Sequence, residues 1–116
     1  EGLRWCHYLA PQGVALLDQW RAVPPVVSSG LHAYPDSPAA EMRAAGVKVL
    51  ELDARGVATE LGDGRLANSV MLGAAAAWLP FPADVLRDEV LQRFGADPTL
   101  MQTNARAFDA GRALAR

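Results

Sequence analysis

The sequence predicts a fold of the α/β class: a three-layer α/β/α arrangement with a mostly parallel sheet and a helical C-terminal half. Two apolar runs of strand length, Val14–Leu17 and Val47–Leu52, alternate with segments of helical periodicity, which is typical of parallel sheets. From Leu66 onward the apolar residues follow helical spacing almost throughout. The 116 residues are enough for one domain. Because strands buried on both faces need more neighbours than two or three strands supply, residues 1–116 are expected to form a single, incomplete domain.

The first strand follows a short predicted helix. Residues Glu1–Ala10 carry apolar side chains at helical spacing, and Pro11-Gln12-Gly13 turn the chain after them. Val14–Leu17 is expected to be buried on both faces of the sheet. Val23–Ser28 is predicted to be extended, because Pro24-Pro25 disfavour a helix.

The second strand lies between two helices with clear end signals. Ser37-Pro38 supply the cap and first residue of a helix that Gly46 ends. Val47–Leu52 has the strongest strand pattern in the chain. Asp53 is placed to cap the next helix, Ala54–Leu61.

Three further helices are predicted in the second half. Leu66–Leu79 is apolar nearly all round and should be buried, and the last helix runs from Asp97-Pro98 to about Leu114. Between them Ala83–Phe94 is amphipathic. Its expected apolar stripe is Val85, Leu86, Val90 and Phe94, with Arg87, Asp88 and Gln92 facing water.

Composition excludes several classes of function. The net charge of −2 shows no excess of basic residues of the kind that binds nucleic acid. No apolar run approaches the roughly 20 residues of a membrane span. One cysteine, Cys6, cannot form an internal disulfide or hold an iron–sulfur cluster. Two histidines, His7 and His32, with one cysteine argue against a self-contained zinc site. The low cysteine content favours a reducing cytoplasm.

Two motifs in the second half carry a family resemblance. Residues Asn68–Ala74 read Asn-Ser-Val-Met-Leu-Gly-Ala, and residues Asn104–Gly111 read Asn-Ala-Arg-Ala-Phe-Asp-Ala-Gly. Both segments resemble the gamma domain of 2-oxoacid:ferredoxin oxidoreductases, and the similarity is greatest to the beta-subunit type of the indolepyruvate ferredoxin oxidoreductases. The motif positions are Asn68, Leu72, Gly73, Asn104, Phe108 and Gly111.

The first half resembles the same family, so the resemblance covers essentially the whole chain. Val23-Pro24-Pro25 and Tyr34-Pro35 are similar to its proline-rich crossover. Family members begin with a strand and a glycine-rich turn that this sequence does not contain. The resemblance therefore implies a C-terminal portion of the domain, from which the N-terminal strands are absent. The matching residues before the first strand are Glu1, Arg4, Tyr8, Leu9, Pro11 and Gly13.

The resemblance implies a non-catalytic subunit or domain of an enzyme complex. Such complexes oxidatively decarboxylate a 2-oxoacid, here an indolepyruvate or arylpyruvate, to acyl-coenzyme A and pass electrons to ferredoxin. Thiamine diphosphate and the iron–sulfur clusters would lie on other subunits or domains of the same complex, with no cofactor on this chain. Alternatives are a gamma domain for pyruvate, 2-oxoglutarate or a branched-chain oxoacid, and a stand-alone nucleotide-binding or oligomerisation module. A nucleotide-binding module requires a glycine-rich turn between a strand and a helix, which this sequence lacks.

The motif residues have structural as well as functional interpretations. Asn68 is placed to cap the alanine-rich helix, with a functional polar role as the alternative. Gly73 is expected to permit close helix packing rather than to contact a cofactor. Asn104 falls inside a predicted helix, where asparagine is unfavourable. Its side chain is therefore expected to make a buried hydrogen bond, either within the domain or to a partner subunit.

Other polar and aromatic residues have weaker signals. Cys6 and His7 are neighbours on a helix and point apart, so Cys6 is expected in the core. Ser28-Ser29-Gly30, near His32, would bind an anion if it preceded a helix, and is otherwise a polar loop. Asp53 and Glu60 are expected as a cap and a surface charge. Core packing is expected for most of the three tryptophans, Trp5, Trp20 and Trp78, whereas an exposed Trp20 would indicate an interface anchor.

Overall fold

The structure is a computed structural model that describes residues 2–115, and it divides into two compact units between residues 51 and 52. The predicted α/β class, parallel sheet and helical second half are confirmed, with 56% of the described residues helical. The regular elements of the described residues are α1 (Gly2–Trp5), β1 (Val14–Asp18), α2 (Pro25–Ser28), α3 (Pro38–Ala44), β2 (Lys48–Leu52), α4 (Ala54–Glu60), α5 (Ala67–Ala75), α6 (Ala83–Gln92) and α7 (Pro98–Leu114).

The first unit is built on the parallel pair of β1 and β2. Its buried apolar residues are few, namely Ala15, Ala39 and Met42. The expectation that Val14–Leu17 is buried on both faces is wrong for three of its four residues, because only Ala15 is buried. Within residues 2–115 each strand has one neighbour, so each leaves one edge and part of its faces uncovered.

The first predicted helix is shorter than expected. α1 ends at Trp5, and Cys6–Tyr8 continues it as one tighter 3₁₀ turn. Glu1, where the predicted helix begins, lies outside the described residues. Isolated helices of this length are marginal, and a 3₁₀ turn is a common way to end one.

The prediction that Val23–Ser28 is extended is wrong, because α2 begins at Pro25. Pro24 takes the extended conformation that a residue before proline prefers, with φ −70° and ψ 154°. Pro25 then occupies the first helical position, where its missing N–H costs nothing. Two adjacent prolines therefore start this helix rather than prevent it.

Helix ends follow their sequence signals in most places. The Asp53 carboxylate accepts a hydrogen bond of 2.8 Å from the Gly56 amide and caps α4, as predicted. Asp97 accepts from the amides of Thr99 and Leu100 and caps α7. Gly46, with φ 84°, follows α3 as predicted. Ser37 occupies the cap position of α3, but its side chain makes no capping hydrogen bond.

The second unit packs α4, α5 and α7 around an apolar core. α5 ends at Ala75, earlier than the predicted Leu79, because residues 76–78 form a turn before Pro80. No helix among residues 2–115 combines the length and apolar character needed to cross a membrane. The buried core residues that cluster in this unit are Ala54, Ala58, Leu66, Val70 and Ala107.

Candidate functional site

The two family-motif segments meet where α5 crosses α7. A Cβ atom at Gly73 would overlap the carbonyl oxygen of Phe108 and lie 2.8 Å from its carbonyl carbon. A Cβ atom at Gly111 would overlap the carbonyl oxygen of Val70 in the same way. One glycine on each helix therefore allows the two backbones to touch, and we call the contacts of Gly73 with Phe108 and of Gly111 with Val70 the glycine crossing.

A buried polar contact lies on the same helix pair. Ser69 Oγ donates a hydrogen bond of 2.5 Å to Asn104 Oδ1, and Asn104 Nδ2 donates one of 2.9 Å to the Leu100 carbonyl. Ser69 and Asn104 are both buried. Of the two expectations for Asn104, the geometry supports the hydrogen bond within the chain. Ser69 was missed because its partner is 35 residues away in sequence.

The six motif positions differ in their surroundings. Gly73, Asn104, Phe108 and Gly111 are buried where α5 and α7 meet, and Phe108 has no exposed surface. Leu72 is half-buried. Asn68 is exposed, and its predicted role as a helix cap is wrong because α5 begins at Ala67.

The start of α5 is organised instead by the preceding 3₁₀ turn, Gly64–Leu66. Asp63 accepts a hydrogen bond of 2.9 Å from the Arg65 amide and pairs with the Arg65 guanidinium at 2.6 Å. The side-chain and backbone hydrogen bonds from Arg65 lower the pKa of Asp63 below its usual range. The hydrogen bond to Asp63 raises the pKa of Arg65.

Two ion pairs join α6 to α7. Arg87 donates two hydrogen bonds of 2.9 Å to the carboxylate of Asp109, and Arg112 donates one of 2.8 Å to Asp84. The hydrogen bond to Asp109 raises the pKa of Arg87. The prediction that Arg87 faces water is therefore wrong, since it points toward α7. No residue of α6 is fully buried, and Val85, predicted in the apolar stripe, is exposed.

The first unit contains an open cavity of about 730 Å³ beside the carboxyl end of β1. In open parallel sheets ligands bind preferentially at this end of the strands. Arg21 stacks over the Tyr34 ring at 5.8 Å and donates a hydrogen bond to the Asp36 carbonyl. Apolar and aromatic walls with few polar groups suit an organic ligand. The residues that define its chemistry are Asp18, Trp20, Arg21, Tyr34 and Glu51.

Several weaker predictions from sequence are corrected by the structure. Ser28 and Ser29 end α2 rather than precede a helix, and their hydroxyls donate to the carbonyls of Pro24 and Val26. The condition given above for an anion site, that the segment precedes a helix, is therefore not met. Cys6 is half-buried rather than in the core. Within residues 2–115 no group of three or more histidine, cysteine or acidic side chains is placed to hold a metal ion.

The expectation that most tryptophans pack in the core is wrong. Trp5, Trp20 and Trp78 have 49%, 58% and 41% of their surface exposed. Trp20 is thus exposed, as expected of an interface anchor. Exposed aromatic residues of this size are enriched where proteins bind partners.

Comparison with known proteins identifies relatives across almost the whole length of the chain. The sequence profile of the family described as pyruvate ferredoxin/flavodoxin oxidoreductase matches residues 1–114. The chain is 32% identical over 117 residues to the indolepyruvate oxidoreductase subunit IorB of Thermococcus kodakarensis. It is 33% identical over 116 residues to the subunit of that name from Pyrococcus horikoshii. Each alignment covers 96% of this chain and 56% of the relative, and no solved structure matches.

Proposed function

The chain belongs to the pyruvate ferredoxin/flavodoxin oxidoreductase family, and from this membership we propose that it is a non-catalytic part of a 2-oxoacid oxidoreductase complex. Its task in this proposal is to assemble with the subunits that carry out the chemistry. The observation that supports this role most directly is the glycine crossing. Four of the six motif positions are buried at the contact of α5 with α7, and none of these four is ionisable.

The proposed substrate is an indolepyruvate or another arylpyruvate. Both relatives described above are named as subunits of an indolepyruvate oxidoreductase, which supports this choice. The family description names pyruvate, so pyruvate is the substrate to compare with indolepyruvate. The proposed reaction is oxidative decarboxylation to acyl-coenzyme A, with ferredoxin as electron acceptor in the cytoplasm.

In this proposal the cofactors are held by partner subunits. Iron–sulfur clusters are bound by about four cysteine thiolates, and this chain has one cysteine, so the chain does not fit a cluster of its own. We also propose that a partner subunit of the complex binds thiamine diphosphate. The cavity beside β1 is the place where a substrate or coenzyme A contact with this chain would fit, and Arg21 is its candidate anion contact.

Reconstitution tests the proposal. The full polypeptide that contains this chain is co-expressed with the thiamine-binding and iron–sulfur subunit, and dye or ferredoxin reduction is measured with indolepyruvate and with pyruvate, each with coenzyme A. We expect a stable complex that reduces the acceptor with indolepyruvate, while either component alone does not. A polypeptide that turns over substrate unaided, or that fails to associate, would contradict the proposal.

A further inference from the structure

Four large apolar side chains are exposed within eight residues at the junction of α5 and α6. Trp78, Leu79, Phe81 and Val85 have 41%, 36%, 57% and 53% of their surface exposed. Single exposed apolar residues are normal on a monomer, whereas several close together indicate an interaction site. We call this group, with Asp88 and Glu89, the 78–89 surface.

The contacts that hold α6 to α7 do not involve this apolar group. α6 is held to α7 by Arg87–Asp109 and by Arg112–Asp84, and it contributes no buried residue. In a helix that only covers its own domain, apolar side chains face inward and charged ones face water. Leu86, Val90 and Leu91 of α6 follow this rule and are partly buried, whereas Val85 is exposed next to the exposed residues of the preceding turn. Neither the ion pairs to α7 nor the partly buried side of α6 covers this apolar group, which a second surface would cover.

The charges beside the apolar group are acidic. Asp88 and Glu89 are exposed and lie three and four residues after Val85, which places all three on one side of α6. Arg87 is paired with Asp109 of α7. Arg93, the next basic residue, lies one further turn along at the end of the helix. The part of the surface next to Val85 is therefore apolar with an acidic rim.

We propose that the 78–89 surface docks against a partner subunit of the complex, on an apolar patch rimmed by lysine or arginine. The proposal rests on the proposed function, which supplies the partner. Charge complementarity selects this occupant. In a two-fold contact between copies the same surface would face itself and bring the acidic rims together. An anionic lipid surface would repel the same carboxylates.

The partner used in the test is the thiamine-binding and iron–sulfur subunit, and the dissociation constant is measured with the full polypeptide. Phe81→Asp and the double variant Asp88→Lys/Glu89→Lys should each weaken binding at least about tenfold. The control variants Leu31→Asp and Glu60→Lys change an exposed apolar and an exposed acidic residue elsewhere, and they should bind within about twofold of the unmodified protein. All five substituted side chains are exposed, so folding should be retained, which thermal unfolding checks.

Zero-length carbodiimide crosslinking of the complex locates the contact, because it joins carboxylates to lysine amines only where they touch. Crosslinks from Asp88 or Glu89 to the partner, together with the two weakened variants, would support the proposal. Unchanged binding by both variants would overturn it while leaving the proposed function intact. The proposal would also be overturned if the two surface variants bound the partner normally but no longer self-associated or no longer bound anionic vesicles. No complex with the unmodified protein would end both proposals.

Discussion

Gly73 and Gly111 allow α5 and α7 to approach at backbone distance, so one added methyl group at either position must displace the partner helix. A Cβ at Gly111 would also lie 3.0 Å from the Ala74 amide nitrogen. We expect Gly111→Ala to lower the free energy of unfolding by about 2–3 kcal/mol, because overpacking exceeds the roughly 1 kcal/mol gain in helix propensity. Chemical denaturation of the purified chain measures this difference.

Ala113→Ser is the matched control for Gly111→Ala, since it adds one heavy atom two residues later at an exposed position of α7. It should change stability by no more than about 0.5 kcal/mol. An equal and small effect of both substitutions would show that the helices can separate without cost, and the glycine crossing would then have no structural role.

The Ser69–Asn104 hydrogen bond gives a second prediction at the scale of single residues. Ser69→Ala removes the donor and leaves Asn104 Oδ1 buried without that partner, so we expect a loss of about 1–3 kcal/mol in the free energy of unfolding. Asn68→Ala, at the exposed position next to it, should be nearly neutral for stability. A double-mutant cycle with Asn104→Ala measures the coupling, and a coupling near zero would refute the pairing.

Elements whose signals are local could be predicted from sequence, and those fixed by distant contacts could not. Asp53 and Asp97 cap α4 and α7 as expected, because a cap involves the next three residues only. In α6 the predicted orientation holds for Leu86, Val90 and Phe94, which are partly buried. It is wrong for Arg87, which meets Asp109 of another helix, 22 residues later. Periodicity alone treats an arginine as a residue that faces water.

The same reasoning applies to the candidate site. The resemblance singled out Gly73, Asn104 and Gly111, but their packing against one another depends on which helices cross, which a single sequence does not specify. The hydrogen bond to Ser69 became visible only in the structure. α2 was missed for the opposite reason, since its signal is local but Pro25 was weighed as a helix breaker rather than as a first helical residue.

At the scale of elements, the attachment of α6 to α7 is expected to depend on Arg87. The Arg87 side chain is 29% exposed and Asp109 50%, so solvent screens the pair and its contribution is about 0.5–1 kcal/mol. Arg87→Ala should increase amide hydrogen exchange in α6 and leave α5 unaffected. Arg93→Ala, which removes an exposed arginine at the end of the helix, is the control. Faster exchange throughout α5 and α7 would instead mean that α6 is part of the core.

At the scale of the whole molecule, the two units differ in how much apolar surface they bury. Among residues 2–115, the unit that ends at residue 51 has three buried apolar residues, whereas the second contains nine. A two-stranded sheet is marginal in water, and parallel strands are normally covered by neighbours on both faces. The chain spans 56% of the length of the relatives it matches. The incomplete sheet expected from sequence therefore remains a prediction with a measurable consequence.

Hydrogen exchange followed by mass spectrometry tests this consequence. In the isolated chain we expect the amides of β1 and β2 to exchange about tenfold or more faster than those in the middle of α5 and α7, because local opening costs least where few apolar contacts are lost. In the proposed complex β1 and β2 should become protected, since neighbouring strands or helices would then cover them. The central turns of α7 provide the internal reference, because the glycine crossing already protects them in the isolated chain. If β1 is as slow to exchange as α7 in the isolated chain, the two strands need no further cover and the sheet is complete as it stands.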